Sequence, residues 1–393
     1  MSNEGWTDGT VADAVTRIRA GFSASGNDRP AREGELGVLK TGAVLGSRFR
    51  AQEHKAVTDK PELLRVPVRR NTVLLGRKNS AEMVGAAVHI DSDHPSLYLS
   101  DLIWELTPAL DVSSHWLAYA LQSDHMRQRI RLSASGTQST MKNLNREVFL
   151  SLPLRFPSLP EQRRIADILR AWDSAIAAVE RLIVSAQSRY AVTVNVLAGV
   201  RSDSHRLGDA THELTARNAT DRFERSDVMG VSNKNGIVPM RAQTIALDLS
   251  RYQILPPRSF AYNPLRIDVG SIAMSRLDRD VIVSPDYVLF ACDADLLPEY
   301  LDHVLETQRW RHDVGAGASG SVRTRTYYDD LAAIRIHLPG IDEQRRIAGA
   351  LDAMRDEVAL LDRKVALLRE QKRGLAQKLL SGEIRVTAEA PDD

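Results

Sequence analysis

The feature that most constrains this chain is an internal repeat at the scale of a whole domain. Glu161-Gln162-Arg163-Arg164-Ile165-Ala166 returns as Glu343-Gln344-Arg345-Arg346-Ile347-Ala348, an offset of 182 residues. Upstream, Ala134-Ser135-Gly136 matches Ala318-Ser319-Gly320, and the apolar run Trp116, Leu117, Ala120, Leu121 matches Tyr300, Leu301, Val304, Leu305, both at an offset of 184. A period this long is too large for a solenoid and points to two copies of one module. The first hundred or so residues of each half match only weakly, so each copy has a divergent front and a similar back. A length of 393 residues fits two modules, because single cores stop growing near ~250–300 residues.

Each similar back contains a long apolar seam. Stepping alternately by four and three from Ile165 meets Leu169, Trp172, Ile176, Val179, Ile183, Ala186, Tyr190, Thr193 and Leu197. The same steps from Ile347 meet Leu351, Met354, Val358, Leu361, Val365, Leu368, Lys372, Leu375 and Leu379. Only Thr193 and Lys372 interrupt the two seams, which predicts two long antiparallel helices packed as a coiled coil. Ser158-Leu159-Pro160-Glu161 reads as a capping box, Asp342-Glu343 puts acids at a helix start, and Gly199 and Gly382 stand where left-handed caps would end the helices. The alternative is that the seams are ordinary core.

The fronts carry short alternating stretches that predict strands: Val66–Val68, Thr72–Leu75, Ala86–Ile90, Gly270–Met274 and Tyr287–Phe290. One amphipathic helix is expected in each, near 114–130 and 297–311. The fold class is therefore α+β with a pseudo-twofold duplication. The expected domains are 1–157 and 201–339 as two front modules, 158–200 and 340–385 as two long helices, and 386–393 as a tail.

Net charge is +1, which excludes a uniformly basic coat but not local patches. Arg65, Arg69, Arg70, Arg77 and Lys78 form one basic cluster without an intervening acid. Arg127, Arg129, Arg131, Ser139, Lys142, Asn143 and Arg146 surround the Ala-Ser-Gly loop of the first half. Arg309, Arg311, Ser319, Ser321, Arg323 and Arg325 surround that of the second, beside Thr324, Thr326, Tyr327 and Tyr328. Guanidinium groups mixed with hydroxyls and amides suit phosphate contacts and base-edge readout. A solvated charged face explains any one cluster equally well; their recurrence at matching repeat positions favours nucleic acid.

Catalytic and cofactor signatures give little. Gly315-Ala316-Gly317-Ala318-Ser319-Gly320 satisfies a dinucleotide-binding pattern but follows a helix instead of a strand. There is no Walker A sequence, and the ten histidines show no zinc-motif spacing. Asn263-Pro264-Leu265 is half of the Asn/Asp-Pro-Pro-aromatic motif of amino-methyltransferases, without its second proline or its aromatic. The lone Cys292 cannot form an internal disulfide, the first residues lack a signal-peptide pattern, and no apolar run reaches ~20 residues. A cytoplasmic, soluble protein is expected.

Two variable modules, each followed by a long helix opening on Glu-Gln-Arg-Arg-Ile, resemble the specificity subunit of type I restriction-modification systems. The match rests on residues 159–165, 341–347 and Leu379-Leu380-Ser381-Gly382-Glu383-Ile384-Arg385-Val386. Residues 231–237 and 260–267, with Tyr262, Asn263 and Arg266, also look like that family's target-recognition domains. Asp342 departs from the pattern where the first copy has Pro160. The resemblance implies that each module reads half of a bipartite double-stranded DNA site. The helices would set the spacing and dock two modification subunits, joined by restriction (translocase) subunits. S-adenosylmethionine, ATP and magnesium would sit on those partners, with no cofactor, metal or catalytic residue on this chain. The competing reading is a coiled-coil interaction scaffold that never touches DNA.

Overall fold

The computed structural model describes residues 5–46, 48–136, 141–200, 204–219, 222–233, 235–317 and 325–386. They form two compact units: residues 1–179 with 364–393, and residues 180–363.

In the first unit a four-stranded antiparallel sheet runs in the order Val15–Ala20, Ile103–Pro108, Val73–Gly76, Ala87–His89. A second sheet runs Gly26–Asn27, His54–Val57, Gly37–Leu39, His94–Tyr98, Pro67–Val68, with its one parallel pairing between Gly37–Leu39 and His94–Tyr98. The alternation of side chains along a strand explains how the first sheet serves two cores. Val73 and Leu75 point into a core with Trp104, Trp116 and Phe149, while Leu74 points the other way to meet Val88, Leu97 and Ile103.

The second unit repeats this plan strand for strand. Its first sheet is Thr211–Leu214, Val288–Cys292, Phe260–Tyr262, Ile272–Met274, all antiparallel. Its second is Gly236–Pro239, Val228–Ser232, Val281–Val283, Gln253–Leu255, again with one parallel pairing, between Val228–Ser232 and Val281–Val283. Among the described residues, the second sheet of the first unit differs by one extra edge strand, Gly26–Asn27. The divergent fronts therefore share a topology without sharing residues. All five expected strand stretches are found: three are trimmed, whereas Val73–Gly76 and Val288–Cys292 each begin one residue later and run past the expected end.

Where one amphipathic helix per unit was expected, the structure has two. Ser114–Gln122 is followed by Asp124–Ser133, and Pro298–Val304 by Gln308–Gly317. The break has one cause in both copies. The Ser123 hydroxyl accepts the Met126 N–H at 3.3 Å and donates to the Ala120 carbonyl; the Thr307 hydroxyl accepts the Trp310 N–H at 3.1 Å and donates to the Val304 carbonyl. Each caps the second helix while tying off the first.

Two long helices, Leu159–Leu197 and Ile341–Ser381, each give one half to each unit. In the first unit Ile165, Ala166 and Leu169 join a core that Leu379 also enters, with Leu375 and Leu380 packed against it. In the second, Val194 and Ala198 join one with Ile347, Ala348 and Leu351. Within each unit the start of one helix thus packs with the end of the other, an antiparallel arrangement. Ile176, Val179, Ile183, Ala186 and Val365 are buried, and Trp172, Met354, Val358, Leu361 and Leu368 half-buried, as the seam predicts.

The repeated Gln is a staple between helix and module. Gln162 accepts the Ser113 N–H at 2.8 Å and donates to the Asp111 and Pro157 carbonyls at 3.2 and 3.0 Å. Gln344 accepts the Leu297 N–H at 2.8 Å and donates to the Asp295 and Pro339 carbonyls at 2.8 Å each. Both side chains are buried, so these bonds form without competition from water.

Other end signals fare unevenly. Gly382 adopts φ +78° and the Ile384 N–H returns to the Lys378 carbonyl, but Gly199 takes no left-handed conformation. Glu161 does not cap its own helix. It is buried, accepting from Trp6 Nε1 at 3.2 Å and from Arg385 at 2.8 and 2.9 Å. Lys372, which interrupts the second seam, donates to Asp173 at 2.7 Å; Asp173 also accepts from the Tyr119 hydroxyl at 2.7 Å. The matching place in the second unit is held by His303, Arg355 and Tyr190, with His303 Nδ1 2.9 Å from the Tyr190 oxygen. No helix of the described residues is long and apolar enough to cross a membrane.

Candidate nucleic-acid interface

The sheet topology brings together basic residues that lie far apart in sequence. In the first unit the chain leaving Val73–Gly76 carries Arg77 and Lys78. Residues Lys142 and Asn143 pair beside it, antiparallel to Lys78–Asn79. The Leu144 N–H closes the junction on the Arg77 carbonyl at 2.9 Å. In the second unit the chain leaving Phe260–Tyr262 carries Asn263 and Pro264, and the Thr326 N–H closes on the Pro264 carbonyl at 3.1 Å. The two units thus build one junction from different residues, and Arg325 and Arg266 flank the second version.

The predicted site residues divide on this geometry. Arg65, Arg69 and Arg70 lie exposed around the turn between Pro67–Val68 and Val73–Gly76; Arg70 is 3.7 Å from Asp93. Arg77 is half-buried, its guanidinium 5.7 Å from the Trp104 ring centre and its Nε buried without a hydrogen-bond partner. Lys78 faces Asp101 at 3.4 Å. Burial pushes the Asp101 carboxyl up, but the Ser23 hydroxyl and Lys78 outweigh it and hold the group below its ordinary value, so the carboxylate stays ionised. Lys142 donates to the Gly136 carbonyl at 2.7 Å, and the Asn143 Oδ1 is buried without a partner. Asn263 uses its side chain on the Leu265 N–H at 2.9 Å, an Asx turn. Arg325 lies 3.9 Å from Asp286. Ser139, Ser319, Ser321 and Arg323 lie outside the described residues.

Tyr262 requires correction. It has no exposed surface and belongs to the core with Phe260 and Phe290, its hydroxyl donating to the Thr326 carbonyl at 3.1 Å. The period of two that sends Ala261 to one face sends Phe260 and Tyr262 to the other, inward. It supports the junction from beneath and cannot reach a base edge.

Several arginines of the basic clusters are likewise structural. Arg127 donates to the Val84 and Glu82 carbonyls at 2.5 Å each, and Arg309 donates to the Val200 carbonyl and, at 3.0 Å, to Ser204. Among the described residues, Arg65, Arg69, Arg146 and Arg266 are exposed and show no carboxylate partner, which leaves their charge available to an external anion. Between Val228–Ser232 and Gly236–Pro239, Asn233 donates to the Val269 carbonyl at 2.7 Å, tying that hairpin to the turn after Arg266.

Residues 44–185 match the family described as the type I restriction modification DNA specificity domain. A relative, the type I restriction enzyme EcoEI specificity subunit of Escherichia coli, is 23% identical over 186 residues, which is 47% of this chain and 31% of that protein. The chain thus spans under a third of the length of that relative. Among solved structures, the type I restriction-modification S subunit from M. genitalium superposes with a TM-score of 0.59 at 15% identity, covering 97% of both chains. A chain from a study of complex assembly and conformational transition of the type I R-M system gives 0.57 at 15% identity, covering 97% of this chain and 99% of that one. Residues 44–185 are thus similar to a type I restriction modification DNA specificity domain, and over nearly its whole length the chain shares the fold of the S subunit from M. genitalium.

Proposed function

We propose that the chain is the DNA-reading, non-catalytic subunit of a type I restriction-modification complex, each unit recognising one half of a bipartite site. The observation that carries this is the repeated strand order. A specificity domain matched at 44–185 recurs as the same two sheets, with the same single parallel pairing, in the second unit. Two readers in one polypeptide sum their discrimination, at ~1–3 kcal/mol per base pair. Exposed arginines at each junction supply the phosphate contacts, and their residue differences supply different half-sites.

The partners under this proposal are duplex DNA, two modification subunits and restriction (translocase) subunits in the cytoplasm. S-adenosylmethionine, ATP and magnesium belong to those subunits. The long helices set the half-site spacing and dock the modification subunits. At ~1.5 Å per residue, 39 and 41 helical residues extend about 58 and 61 Å.

The deciding experiment is methylated-motif mapping in a host with and without the gene, followed by duplex binding of the purified complex across a salt series. A bipartite motif that vanishes with the gene, and salt-sensitive binding to it, are expected. Exchanging residues 201–339 for another such module should change one half-site only, and inserting four residues within 176–183 should change the preferred gap. A motif independent of the gene would overturn the proposal.

A further inference from the structure

A second cluster in the first unit has chemistry that DNA reading does not use. His89, at the end of the strand Ala87–His89, Asp91 just after it, and His115, in the first turn of the helix Ser114–Gln122, place one donor atom each within 4.8 Å of one another. Asp91 Oδ1 lies 3.2 Å from His115 Nε2 and 3.5 Å from His89 Nε2. Two ligands at ~2.0–2.1 Å from a tetrahedral ion stand about 3.3 Å apart, so both separations suit a shared metal. They border a cavity of about 380 Å³ that His94 also lines.

The independent sign is His89 itself. Its side chain is only 8% exposed, and both ring nitrogens are buried with no hydrogen-bond partner. Buried polar atoms left so are uncommon and point to a missing ligand; a metal would satisfy one of the two. The other charged groups of the cavity are already engaged. Arg48 donates to the Asp173 carbonyl at 3.1 Å, Arg170 to Asp167 at 3.4 Å, and Asp173 takes Tyr119 and Lys372.

We infer that His89, Asp91 and His115 bind a divalent transition-metal ion, zinc being the best match to two imidazoles and a carboxylate, with water completing the shell. The two rings now stack with centroids 3.5 Å apart, so binding requires them to splay. His115, a quarter exposed, has room to turn. The ion would fix the Asp91–Asp93 turn, whose Asp93 carboxylate accepts the Arg70 N–H at 2.9 Å. It would thereby hold the loop that presents Arg69 and Arg70. The metal site itself needs no assumption about DNA.

The test is calorimetric titration of the chelator-stripped full-length chain with Zn²⁺, with Co²⁺ absorption as a second readout. One ion per chain is expected. Asp91→Asn and His115→Gln, both at accessible positions, should each weaken binding at least tenfold and abolish the cobalt ligand-field bands, while His125→Gln on the next helix leaves both intact. Circular dichroism checks that each variant folds; if His115→Gln does not, Asp91→Asn decides. No stoichiometric binding, wild-type isotherms in the folded site variants, or equal loss in His125→Gln would overturn the inference.

Discussion

Replacing Gln162 with leucine isolates the staple between long helix and module. The amide makes three hydrogen bonds from a buried position: one accepted from the Ser113 N–H and two donated to the Asp111 and Pro157 carbonyls. Leucine keeps the bulk but leaves that N–H and two carbonyls without their partner. Each buried orphan costs ~1–3 kcal/mol. Water reaching the partly buried carbonyls, together with about 1 kcal/mol gained from burying the leucine, recovers some of the loss, for a net of about 3 kcal/mol. With a urea slope of about 2 kcal/mol per molar, the midpoint falls by about 1.5 M. Hydrogen exchange by mass spectrometry across a urea series reads each unit separately. Peptides from 5–158 should open early in Gln162→Leu while those from 207–339 hold, and Gln344→Leu should do the reverse. Wild-type midpoints in both variants, or loss in the wrong unit, would refute the staple.

The other expectations follow from single contacts. Lys372→Met strands the Asp173 carboxylate, which is only 10% exposed, and should cost about 2–4 kcal/mol in the same exchange assay; adding Asp173→Leu should recover much of it. Burial, with Arg355 beside it, depresses the His303 imidazole to about 4, so the unfolded chain binds its proton first as pH falls. The stability this neutral ring contributes is therefore complete above pH ~6.5 and lost toward pH ~4, and His303→Gln should flatten that part of the second unit's urea-midpoint profile. Arg69→Ala and Arg266→Ala should each weaken DNA binding by the complex and lower its salt slope by about one, with unchanged folding, as measured by fluorescence anisotropy; wild-type affinity would show that other residues carry the contacts.

What could be read from the chain depended on how local the signal was. The long helices were legible because a seam repeats the same choice every three or four residues, and the Glu-Gln-Arg-Arg-Ile repeat marked their starts. The Gln staple was visible as a repeat but not as a mechanism, since its partners lie some fifty residues upstream. The helix break at Ser123 and Thr307 was missed because a hydroxyl inside an apolar period looks like a tolerated polar position. Tyr262 was misplaced because a short motif says nothing of which face a side chain takes, whereas the Phe-Ala-Tyr alternation did. The basic clusters themselves could be read from the sequence. Yet which arginines hold carbonyls, as Arg127 and Arg309 do, and which face solvent is decided by pairings between distant strands.

The partition of residues between the units bears on how the chain matures. The second unit is a continuous stretch, 180–363, and has all its parts as soon as that stretch has left the ribosome. The first is assembled from two separated stretches: Trp6 and Glu161 find Arg385 only after the whole of the second unit has been made. Until then Leu379 is missing from a core already holding Ile165 and Leu169. The later-encoded unit is therefore the first that can close, and the earlier one waits, open and in need of protection, for the last turn of helix to arrive.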